Sequence, residues 1–223
     1  MQAQMMQDIY EIVGFYPHVI CGLANRVFEL SELEGHLLNW HKISANTIDC
    51  VILSFHGYGE RAETQVRRMQ TLGLNHSILW ICPQALHGFS IAHRRERQEI
   101  EKVKKTGWTW MAQPTRSRDI LWNQLYMKSL YQGLKNAFKL VEEEMNDTTF
   151  SFSNLISIGH SQGASQAWRT ASWIPTRELI IHAGDIPPEL RQQWPKLMRD
   201  NLKSVLLGRS LDDKVMPIKI FQR

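Results

Sequence analysis

The chain has 223 residues, 43% of them hydrophobic and 22% charged, which is the size and balance of one globular domain with a sizeable core and excludes a disordered or fibrous protein. The formal net charge is +4, and one run supplies most of it: Arg94, Arg95, Arg97, Lys102, Lys104 and Lys105 stand against Glu96, Glu99 and Glu101. Outside that run the chain is close to neutral, so no nucleic-acid partner is expected.

The first residues, MQAQMMQDIYEIVGFYP, carry no basic leader, and no apolar run reaches membrane-spanning length; a cytoplasmic protein with no membrane span is expected. Cys21, Cys50 and Cys82 cannot all pair and lack metal-ligand spacing, so they read as reduced packing thiols, with no metal and no cofactor implied. VICGLANRVFEL and HLLNWHKI, within residues 1–48, are expected as antiparallel edge strands. From Asp49 onward β-rich runs alternate with helical patterns, which predicts parallel strands joined by crossover helices. DCVILSF (49–55) is the first buried strand, a helix follows over 62–72, and SILWICP (77–83) is the next strand.

Residues 84–118 read as a long, basic, irregular surface excursion, its run at 93–105 a solvated flap. Leu121, Leu125, Leu130, Leu134, Phe138, Val141 and Met145 then mark one face of a long amphipathic helix. NLISIG (154–159), a helix from Ser161 to about Trp173, ELIIHAG (178–184), a helix from Pro188 to Arg199, and SVLLG (204–208) complete the alternation. No linker or repeat divides the chain, so a single domain over 1–223 is expected.

Gly159-His160-Ser161-Gln162-Gly163 has the G-x-S-x-G spacing that puts a serine on a sharp strand-to-helix turn, and here a β-like run precedes it and a helical pattern follows. Acyl transfer also needs two preorganised donors for the tetrahedral oxyanion. The amides of Gln162, after the serine, and of Tyr58, in His56-Gly57-Tyr58-Gly59 after the first parallel strand, form the natural pair. His56 itself reads as a loop-shaping residue.

With LSFHGYGE (53–60), ICPQALHGF (81–89), GWTWMAQPTRSRDI (107–120), ISIGHSQGAS (156–165), HAGDIPPEL (182–190) and VLLGRSLDDKVMP (205–217) in this order, the chain resembles the phospholipase/carboxylesterase/thioesterase-like α/β-hydrolases. The resemblance implies a doubly wound, mostly parallel α/β sheet, a nucleophile at Ser161, and hydrolysis of a small carboxylic ester or thioester. It also implies a triad acid after SVLLG, where Asp213 fits the family's spacing to Pro217 better than Asp212 does. It places Trp110 near the pocket mouth, either lining the acyl or leaving-group site or simply packing.

In this fold the order is serine, acid, histidine. No histidine follows Asp213 in the 223 residues, which reads as a C-terminally shortened hydrolase and sets a second expectation beside catalysis: an impaired pseudo-hydrolase or relic that binds without turnover, with self-association through an exposed sheet edge. His182 is better placed than His160 to substitute as base, and His87 and His93 lie farther off in the basic excursion.

Overall fold

Uncharged runs rich in β-branched residues are stable only where both faces of a strand are covered. The structure, a computed structural model, describes residues 18–24, 26–44, 48–74, 77–91, 105–111, 117–146, 154–192, 196 and 202–208. The expected apolar runs form β3 (Cys50–Phe55), β4 (Ile78–Pro83) and β7 (Leu155–His160) inside a seven-stranded sheet. With β1 (Val19–Leu23), β2 (Arg26–Glu29), β8 (Glu178–His182) and β9 (Ser204–Gly208) the order is β2-β1-β4-β3-β7-β8-β9. The pairs β3–β4, β3–β7, β7–β8 and β8–β9 are parallel, and β1 runs antiparallel to both of its neighbours.

Helices cover both faces. Val51, Leu53 and Phe55 of β3 point into the larger core, against α1 (Leu33–Ser44), α3 (Ser117–Met145) and α4 (Gln162–Trp173). Ile52 points the other way, into a smaller layer closed by Ala62, Val66 and Met69 of α2 (Ala62–Thr71) with Trp80 and Cys82. The fold is therefore a doubly wound, mostly parallel α/β sheet. Among the described residues no helix is long and apolar enough to cross a membrane. The three cysteines are free; burial, with nearby Glu178, pushes the Cys50 thiol up to about 11 and raises Cys21 and Cys82 as well, which suits inert packing thiols.

Three expectations need correction. VICGLANRVFEL does supply the hairpin β1–β2, but HLLNWHKI lies inside helix α1, where Leu33 and Leu37, four residues apart, reach the core on one face. The segment 84–118 is not irregular throughout: β5 (His87–Ile91) and β6 (Lys105–Thr109) pair antiparallel as a second, two-stranded sheet, and Gly107, Thr109 and Trp110 are buried. Finally, Leu121 is 52% exposed, because the inward face of α3 starts with the polar Asp119 and Asn123 and continues through Met127, Leu130, Leu134, Phe138 and Val141. A short 3-10 turn (Pro188–Leu190) opens the span where the sequence predicts a helix to Arg199; residues 193–195 and 197–199 of that span lie outside the described residues.

The register of α3 can be tested by paired truncation. Leu134→Ala should lower unfolding stability by about 2–5 kcal/mol, whereas Leu121→Ala should stay within about 0.5 kcal/mol, both read from urea midpoints.

Candidate active site

β7 ends and α4 begins within one residue, and Ser161 is that residue. Its backbone stands at φ 54°, ψ −120°, a combination that L side chains rarely adopt, and its side chain is exposed. The turn survives because its neighbours are small and tied down. A Cβ on Gly159 would overlap the Gly163 backbone, and one on Gly163 would strike the Phe55 and His56 carbonyls. Ser161 N–H donates to the His182 carbonyl at 2.9 Å, and Ala183 N–H to that of Gly208 at 3.0 Å, so the ends of β7, β8 and β9 hold one another. The hydroxyl therefore projects at the carboxyl edge of the sheet, at the positive end of the α4 dipole.

The loop after β3 is held from below. The His56 ring is buried and uses both nitrogens: Nδ1–H donates to the Gly57 carbonyl at 2.9 Å, and Nε2 accepts from Gln84 Nε2 at 2.9 Å and from Ala85 N–H at 3.1 Å. These partners need a neutral imidazole, and burial lowers its pKa below the ordinary histidine value. His56 thus shapes the loop and cannot act as a base toward Ser161. Tyr58, which carries one expected oxyanion donor, is 62% exposed at the loop tip, and the following Gly59 N–H donates to the Trp108 carbonyl at 2.9 Å.

Trp110 is 0% exposed, which does not fit a residue lining an open acyl pocket. It is a strut instead. Its Nε1–H donates to the His56 carbonyl at 2.8 Å, its own N–H donates to Gln162 Oε1 at 3.0 Å, and Thr109 Oγ1 donates to the same oxygen at 2.9 Å. Asn123 Nδ2 in turn donates to the Trp110 carbonyl at 2.6 Å. The β5–β6 hairpin, unforeseen in the sequence, thereby ties the two loops that carry the Tyr58 and Gln162 amides.

His160 and His182 are paired in register at the ends of β7 and β8, and their rings stack with centroids 5.2 Å apart. His160 Nδ1 also lies 4.0 Å from Glu60 Oε2, while the His182 side chain is exposed. His87 sits in β5 with Nε2 3.9 Å from Asp119 Oδ2. Among the described residues no histidine hydrogen-bonds the Ser161 hydroxyl. Asp212, Asp213 and His93 lie outside the described residues. Sequence reasoning passed over Glu60: Oε2 accepts from Gly57 N–H at 2.7 Å and the carboxylate takes a two-pronged bond from Arg68. Burial alone would raise its pKa, but Arg68, the Gly57 amide and His160 outweigh it and hold the carboxyl below its ordinary value. The only signal was an acid directly after HGYG.

A strand-turn-helix serine at the carboxyl edge of a parallel sheet flanked by an antiparallel hairpin defines the architecture. It is a doubly wound α/β sheet with a serine at a strand-to-helix turn. No family model and no curated protein matches the sequence. Solved structures similar to it include esterase PE8 (20% identity, 79% of this chain and 75% of that one, TM-score 0.45). Acyl-protein thioesterase 2 of Zea mays is similar at 17% identity, over 78% of this chain and 76% of that one, TM-score 0.43. SOBER1 of Arabidopsis thaliana is similar at 14% identity, over 77% and 78%, TM-score 0.46.

The neutral His56 has a pH consequence. A folded-state pKa lowered below the unfolded value means that the unfolded chain takes up the proton first. Stability should therefore be full above the ordinary histidine range and fall as pH drops through it toward the lowered folded value. Urea midpoints between about pH 8 and about pH 5 should show this loss, and His56→Asn, weaker by about 1–3 kcal/mol at neutral pH, should lack that histidine-linked component.

Proposed function

We propose that this protein is an α/β-hydrolase, a serine hydrolase of small carboxylic esters or thioesters that works through an acyl-enzyme on Ser161. The carrying observation is the φ 54°, ψ −120° backbone that presents an exposed hydroxyl at the start of α4. In this reading Ser161 Oγ attacks the substrate carbonyl and forms a tetrahedral intermediate. Its oxyanion is met by the Gln162 amide, which as the first residue of a helix has no partner within that helix, and by the Tyr58 amide. Collapse breaks the bond to the alcohol or thiol, which leaves with the proton taken from Ser161. Water then attacks the acyl-serine and releases the acid.

The proton passes through an imidazole. Of the described histidines, His56 is committed to its loop, His160 faces Glu60, and His182 is the one whose ring is exposed at the same sheet edge. Asp213 is the acid assigned to orient the imidazole, ahead of Asp212. No metal or organic cofactor enters this reading.

A second reading has its own support. With no histidine bonded to the Ser161 hydroxyl among the described residues, the same geometry suits a pseudo-hydrolase that binds acyl compounds without turning them over. A fluorophosphonate probe and a short-chain aryl ester separate the two. Catalysis requires that wild type label and hydrolyse, and that Ser161→Ala lose labelling and at least about 10³-fold of turnover. Wild type that neither labels nor hydrolyses, while still binding the ester's acid product, would leave the binding reading in its place.

A further inference from the structure

The loop that carries the Tyr58 amide has an exposed tip, and contacts from both faces of the sheet fix its distance from the Ser161 turn. Two supports come from the large-core side: the Trp110 indole on the His56 carbonyl and the Trp108 carbonyl on Gly59 N–H. From the α2 side one carboxylate makes three contacts. Glu60 Oε2 accepts from Gly57 N–H at 2.7 Å, next to Tyr58 in the chain. Its two oxygens take Arg68 Nη1 at 3.1 Å and Nη2 at 2.7 Å, which anchors the group to helix α2. Oε2 also lies 4.0 Å from Nδ1 of His160, the residue immediately before Ser161. The fit leaves no slack: a Cβ on Gly57 would stand 3.2 Å from His160 Nδ1 and 3.3 Å from Glu60 Oε2.

We propose that Glu60 is a positioning residue, locked by Arg68, that sets the spacing between the Gly57–Glu60 loop and the Ser161 turn. This rests on the hydrolase reading for its consequence, though not for its geometry. A charged carboxylate suits the task because it can accept from the Gly57 amide, pair with a guanidinium fork and face an imidazole at once. Arg68 matters for its planar, two-pronged shape as well as its charge. If the loop relaxes, the Tyr58 amide moves away from the developing oxyanion, and a misplacement near 1 Å costs on the order of 10²-fold in rate.

The test uses the full chain and variants Glu60→Gln, Glu60→Ala, Arg68→Met and Arg68→Lys, read by amide exchange of residues 56–60 and by Ser161 labelling and aryl-ester turnover. Glu60→Ala and Arg68→Met should speed exchange in the loop on the order of tenfold, with β3 and β7 unchanged. They should lower labelling and kcat by about 10–100-fold with KM within about threefold, since the lost contact serves only the transition state. Glu60→Gln, which keeps an acceptor and the side-chain shape, and Arg68→Lys should fall between these and wild type; they also serve if the truncations fold poorly. Unchanged exchange overturns the proposal. So does faster exchange with unchanged labelling. If loop exchange speeds up but wild type itself does not label, the clamp stands and the hydrolase reading falls.

Discussion

The approach of Gly163 to the Phe55 and His56 carbonyls governs the site. With no side chain there, the first turn of α4 presses directly on the end of β3, and the Ser161 turn and the Gly57–Glu60 loop become neighbours. Any Cβ would push the helix off the strand. Ser161 is left to bridge an abrupt change from strand to helix, which is why it carries a backbone conformation that costs of order 1–3 kcal/mol and persists only when its surroundings overdetermine it. Here they do: β7, β8 and β9 brace one another through the Ser161 and Ala183 amides.

A largely buried polar framework, with Gln162 half-buried at its edge, sits beneath that contact. His56, Gln84, Trp110, Gln162 and Asn123 are linked by hydrogen bonds that join β3, β4, the β5–β6 hairpin, α4 and α3. Such groups specify one arrangement because leaving any of them unpaired in the interior costs roughly 1–3 kcal/mol. The Trp110 indole holds the His56 carbonyl, and its backbone amide holds the Gln162 side chain, so one residue joins the two loops.

The parts legible in the sequence share a local physical cause. CVILSF, ILWICP and LISIGH announce buried strands by apolar continuity, and Gly159, Gly163 and Ala164 announce a sharp turn by the size of their side chains. The local pattern misleads where polar residues face inward. Leu121 fits the core stripe of α3 by spacing alone, because Asp119 and Asn123, which open that stripe, look like surface residues until their partners are known. HLLNWHKI is apolar enough for a strand, and only its packing against α3 settles it as helix. The hairpin β5–β6 was hidden because its strands are separated by the basic run that dominates the segment's composition.

By itself, then, the sequence determined the alternation of parallel strands and crossover helices and the serine at the turn, since both follow from apolar periodicity and from glycines at short range. The tertiary structure alone decided what each histidine near that serine is free to do. His56 is locked neutral by Gln84 and Ala85, His160 is drawn toward Glu60, and His182 is left exposed. Those partners come from segments up to about a hundred residues apart, and a side chain's protonation and reach depend on what is beside it in space, which one-dimensional spacing does not encode.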